Sequence, residues 1–309
     1  VRTRLALDMI QNAAYSSPSW AAQFVLDGRE AEGDPGAFAQ AIPNLAHYLA
    51  RYDPAAAVEW ASKLGDDEPA AMGRIMGAWA DQDPEAAAGY ASETDLGAAR
   101  RESLVEIAKA WTGQDPQAAL AWASEFDGQE AVVVTSALVN RLVNSGDLEA
   151  ATATLETMLA RDDAAPAVGK HFEVAAFSVT VNLAAHDHDR AMQIVERLED
   201  EGARATATAG MVAAWLRKDP AAASEWVGGL EPGRPRDGAV DQIVRSVAES
   251  DGEAAFAWAA TITGASERVE SMETSLRAWS QQDPHAAAAA LAGVALDAAQ
   301  RERLAKALK

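Results

Sequence analysis

The sequence predicts an all-α protein of stacked two-helix repeats, an α-solenoid, and three observations predict it. The first is composition. Hydrophobic residues make up 49% of the 309 positions, much of that share is alanine, and strand-favouring β-branched and aromatic residues are sparse, a balance that favours helices. The second is a phrase written repeatedly, as in GAWADQDPEAAAGYASET (77–94) and AKAWTGQDPQAALAWASEF (108–126). The third is its spacing. The aspartate recurs as Asp53, Asp83, Asp115, Asp147, Asp187, Asp219, Asp251 and Asp283, mostly 32 residues apart, with one interval of 30 and one of 40. A fixed period of this size marks a repeat array, here of about eight to nine units.

Taken in order, the chain opens with a weaker copy, SSPSWAAQF, in which Ser17 holds the aspartate's place. Trp20 falls out of register there and is expected at a partly exposed edge. In the later copies, apolar residues stand eight and four positions before the anchor, as in Ile75/Trp79, Ile107/Trp111 and Met211/Trp215. After it come alanine at +4, usually a bulky residue at +7 (Trp60, Tyr90, Trp122, Trp226, Trp258), and mostly an apolar one at +11. Steps of four, three and four keep these side chains on one helical face. Each unit therefore reads as helix A, a short turn and helix B. Alanine at +4 allows close approach of the two helices, and Trp111/Trp122 and Trp215/Trp226 are expected to pair. Tryptophans at these positions read as core.

Asp-Pro explains the start of helix B. Aspartate is a strong N-cap, and proline suits the next position, where its missing N–H costs nothing. The repeated aspartate is thus expected to be architecture rather than chemistry. The rhythm breaks between Ala150 and Asp187, with an eight-residue insertion, no tryptophan and a seemingly extended helix A over 170–185. Irregular repeats over about 147–198 predict a bend or register shift, and 1–309 reads as a single domain. The last stretch, ALDAAQRERLAKALK (295–309), predicts a capping helix with a polar face.

The phrase Asp-x-x-x-Ala-x-x-Trp, as in Asp53…Ala57…Trp60 and Asp219…Ala223…Trp226, resembles the second helix of Sel1-like repeats. LVNSGDLEAATATLETML (142–159) resembles the tetratricopeptide pattern Gly-Asp-x-x-x-Ala. The Gly-x-Gly loop of the first family and the helix A signature of the second are absent. Bacterial Trp/Asp-Pro helical-hairpin repeats are similar over nearly the whole chain. The resemblance implies a right-handed superhelix that binds proteins or peptides, with helix A lining the concave face.

The formal charge of −21, spread through every segment, opposes nucleic-acid binding. No stretch approaches the ~20 consecutive apolar residues that span a bilayer. Cysteine is absent, which removes disulfides and thiolate chemistry while leaving the compartment open. The chain opens at Val1 without a signal-peptide pattern, so a mature or trimmed form is expected, and a leader or anchor outside it stays open. The alanine- and arginine-rich composition suggests a GC-rich bacterial source; the compartment stays open, with a periplasmic or other extracytoplasmic location favoured over the cytoplasm. There is no Gly-rich phosphate loop, nucleophile elbow or His-Glu-x-x-His, so no enzyme and no cofactor are expected. His186-Asp187-His188-Asp189 has metal-binding residue types, yet Asp187 is expected to cap and His171 lies about 22 Å away along a helix. We read a solvated turn, and no metal.

Two basic rows remain. Arg100, Arg204, Arg236 and Arg268 stand fifteen residues before their anchors, about 20° from the tryptophan register, and are expected to bond loop carbonyls or acidic side chains of a neighbouring repeat. His47, Lys109, Arg141, Arg245 and Arg277 stand six before, about 160° from the core face. With Asn140 and Asn144 they are the candidate partner-binding residues, a basic stripe for an acidic peptide or a C-terminal carboxylate. Helix-surface ion pairs are the plainer alternative for the same charges. The function expected is a non-catalytic scaffold that binds a protein or peptide through helix A or the irregular centre. An α/α-hairpin toroid acting on a carbohydrate or lipid, and a spacer domain of a larger envelope or surface protein, stay open.

Overall fold

A computed structural model describes residues 2–32, 38–160 and 170–308. The described residues form nineteen α-helices and no strand. In order they are α1 (Arg2–Ser16), α2 (Pro18–Glu32), α3 (Ile42–Tyr52), α4 (Pro54–Ala61) and α5 (Glu68–Ala80). Next come α6 (Pro84–Glu93), α7 (Arg100–Gln114), α8 (Pro116–Ala123), α9 (Gly128–Ser145) and α10 (Leu148–Leu159). Beyond residue 169 lie α11 (Lys170–Ala184), α12 (His188–Arg197), α13 (Glu201–Leu216), α14 (Pro220–Gly229) and α15 (Arg234–Val247). The last are α16 (Gly252–Ala260), α17 (Ala265–Gln282), α18 (Pro284–Ala292) and α19 (Ala298–Lys306). None of the described helices is long and apolar enough to cross a membrane.

All eight aspartates of the series start an even-numbered helix. Each accepts a hydrogen bond from the backbone N–H three residues on, at 2.9–3.1 Å. The alanines four residues after them, from Ala57 to Ala287, are all 0% exposed. At such a site even one extra methyl group has no room. The expected aromatic pairs form, with ring centroids 5.6 Å apart for Trp111/Trp122 and 6.1 Å for Trp215/Trp226. Such a pair adds about 0.5–1.5 kcal/mol beyond its buried area. Trp20 is 47% exposed and stacks on Phe24.

The described residues divide into two compact units, one reaching Thr154 and the other beginning at Leu155. Helices pack in sequence order within each. In the first unit α3 packs on α5, α5 on α7 and α7 on α9; in the second, α11 packs on α13, α13 on α15 and α15 on α17. The helix expected over 170–185 is Lys170–Ala184, and its 15 residues make it no longer than α7. The bend expected in this region turns on residues 161–169, which lie outside the described residues. At the C-terminus, α19 packs on α17 and α18 through a fully buried Leu304, and Asp297 with Gln300 forms a reciprocal capping box.

Candidate functional site

Burial accounts for the core residues and N-capping for the exposed anchor aspartates, which leaves the outer faces of the odd-numbered helices. The row fifteen residues before each anchor bonds as expected. Arg204 donates to the Leu198 carbonyl at 3.1 Å, Arg236 to Thr261 at 3.1 Å, and Arg268 to Ile262 at 2.9 Å. Arg100 reaches both the Ala91 carbonyl and the carboxylate of Glu130. The hydrogen bond from Arg100 holds the Glu130 carboxyl below its ordinary range, and Arg190 does the same for Glu156. Arg301 repeats the pattern on Leu291 and Val294. These arginines are occupied in tying loops together.

A second ladder escaped the sequence reading. Gln114 and Gln282, each one residue before an anchor, donate to the carbonyls of Ala80 and Glu249 at 2.7 and 2.5 Å. Lys218 does the same to Ala185. Its signal was a long polar side chain at the −1 position, satisfying carbonyls left open at a helix end.

The turn 186–189 is exposed at all four positions. Asp187 caps α12, and the His188 ring stacks on Trp215 at 4.5 Å. Among the described residues no group of three or more metal-ligating side chains converges.

The row six residues before the anchors separates into two settings. In the first unit, α3, α5, α7 and α9 line a groove of about 570 Å³ that includes His47, Lys109, Asn140, Arg141 and Asn144. Arg74, not singled out from the sequence, lines it too, together with the acidic Asp81 and Glu106. Lys109 is paired with Glu106 at 2.6 Å. Arg74 and Arg141 form no ion pair or hydrogen bond with any described residue. Arg141 lies across the backbone of α7 at Gly113, where an added Cβ would stand 2.8 Å from its guanidinium. Glycine at that position admits the side chain to the groove.

The second unit uses the same register differently. Arg245 binds Asp241 at 2.6 Å and Arg277 binds Glu273 at 2.8 Å, each four residues back along its own helix. Arg245 lines a separate groove of about 920 Å³ that also carries Asp237, Asp241, Glu267 and Glu270, and Arg277 is not part of that lining. Asp237, 6% exposed, accepts hydrogen bonds from Thr263 N–H and Oγ and from Gly264 N–H. Burial alone would raise its carboxyl, but these hydrogen bonds outweigh it and the group titrates below its ordinary range. Asp237 therefore pins the turn before α17. Five of the seven predicted residues thus meet in one groove, while Arg245 and Arg277 are neutralised elsewhere.

No family model matches the sequence, and no curated protein matches it. Among solved structures, the crystal structure of Ton1535 from Thermococcus onnurineus NA1 is similar over 100% of this chain and 99% of that one. Sequence identity is 14% and the TM-score 0.31, too remote a likeness to argue from.

Proposed function

We propose that the protein is a non-catalytic α-solenoid scaffold, of a kind resembling tetratricopeptide and Sel1-like repeats, that binds a protein or peptide partner through helix A. An acidic segment or a C-terminal carboxylate of the partner settles in the groove of the first unit. One observation carries this reading: two guanidiniums, Arg74 and Arg141, face one groove without a carboxylate partner in a chain of net charge −21. Exposed arginine offers a bidentate fork matched to a carboxylate. The amides of Asn140 and Asn144 supply further donors on the same wall. The groove carries three cationic side chains, Arg74, Lys109 and Arg141, against the carboxylates of Asp81 and Glu106, and a local positive balance in an acidic chain steers an acidic partner there.

The test is a titration of the full chain with a labelled Glu-rich peptide bearing a free C-terminus. Replacing Arg74→Glu and Arg141→Glu together is expected to weaken binding at least about tenfold, each lost charge-assisted hydrogen bond contributing about 1.5–3 kcal/mol. Both residues are exposed, so the fold is expected to persist, as a circular dichroism melt will show. Equal affinity of the double variant and the parent would reject the reading.

A further inference from the structure

Beside the basic groove stands a feature that charge does not explain. Most of the large hydrophobic side chains exposed among the described residues lie in the first three helices, including Tyr15 at 79%, Tyr48 at 36% and Tyr52 at 76%. Two of these rings meet edge to face: Tyr15 from α1 and Tyr48 from α3, with centroids 5.7 Å apart. Tyr48 in turn contacts the ring of His47 at 5.4 Å, and His47 lines the groove. The aromatic cluster therefore adjoins the basic groove through His47, apolar at α3 and with the guanidiniums of Arg74 and Arg141 beyond it at α5 and α7. Exposed apolar patches bordered by polar residues mark interaction sites.

Helix spacing sets a scale on that surface. Packed helices stand about 8–10 Å apart. One step separates α3 from α5, which carries Arg74, and two steps separate α3 from α7, where the guanidinium of Arg141 lies against Gly113. An extended chain covers about 3.3 Å per residue. We propose that the partner segment is an extended acidic peptide with a hydrophobic side chain at one end. That side chain lies on Tyr15 and Tyr48, one carboxylate about three residues away meets Arg74, and a second about six residues away meets Arg141. The inference deepens the acidic-segment reading and rests on it. Tyrosine suits the apolar end because its face packs against a hydrophobic side chain while its hydroxyl stays wet.

Three labelled peptides test it against the full chain. The first carries Leu at position 1 and Glu at positions 4 and 7 in a Gly-Ser background. The second replaces that Leu by Gly, and the third moves both Glu residues next to Leu. The parent protein is expected to bind the first about tenfold more tightly than either of the others. In the Tyr15→Ala/Tyr48→Ala variant the preference for Leu over Gly is expected to fall to about one, with affinity for the Gly peptide unchanged. These rings are exposed, and an unchanged melting curve checks that the variant folds. Equal binding of all three peptides by the parent, or a preference retained in the variant, overturns the inference while leaving the acidic-segment reading intact. If the parent binds none of the three, both readings fall together.

Discussion

At the scale of the residue, aspartate carries two structural jobs in this chain, and only one was legible in the sequence. The eight anchors stood out because N-capping is local: the carboxylate bonds an N–H three residues on, so sequence proximity and spatial proximity coincide. Asp237 was silent because its donors, Thr263 and Gly264, are 26 and 27 residues away, a contact that no local rule encodes. The folded-state carboxyl of Asp237 is lowered, so its stabilisation is present above the unfolded carboxylate value of about 3.9. It is lost as pH falls through the lower folded value. Urea unfolding of Asp237→Asn at pH 7 is expected to show a loss of about 1–2 kcal/mol. That gap from the parent is expected to close below about pH 4, and a gap constant down to pH 3 would refute the assignment.

At the scale of the element, the helices were legible because their faces repeat. Alanine at +4 is fully buried in all eight copies, and the paired tryptophans stand where steps of three and four residues place them. Departures from the repeat are where tertiary contacts show. After Asp251 the chain has Gly252 where Pro54, Pro84, Pro116, Pro220 and Pro284 follow their anchors. An added Cβ at Gly252 would lie 2.3 Å from the Cβ and 2.8 Å from the Cα of Trp279, so α17 packs directly on the first turn of α16. Gly252→Ala is expected to lower stability by about 1–3 kcal/mol through overpacking, despite alanine's better helix propensity. A thermal melt showing an unchanged or raised midpoint would contradict this packing account. The basic row was legible too, but its partners were read too coarsely. Ten residues before the anchor stand Asp241 and Glu273 in the second unit. The same position holds Gly73, Val105 and Ala137 in the first. That i,i+4 difference is why Arg245 and Arg277 are neutralised and Arg141 is not.

At the scale of the whole molecule, the conspicuous residues and the candidate binding residues separate. The repeated aspartates cap helices, and of the repeat tryptophans Trp60, Trp111, Trp122, Trp215 and Trp279 are buried core while Trp79, Trp226 and Trp258 are half-buried. The groove of the first unit collects side chains from four helices, a convergence that one-dimensional spacing signals only through its shared register. Arg74 was missed because it stands nine residues before its anchor, where other copies carry Glu106, Gly210 and Gln242, so no row marked it. The central claim is that the outer face of helix A, rather than the Asp-Pro turns, recognises the partner. Amide chemical-shift mapping of the labelled chain with the Glu-rich peptide tests it most directly. The account predicts shifts concentrated at Arg74, Gly113, Asn140, Arg141 and Asn144, with Asp83, Asp115 and the residues they cap unmoved. Shifts centred on the Asp-Pro turns, with this groove silent, would contradict it.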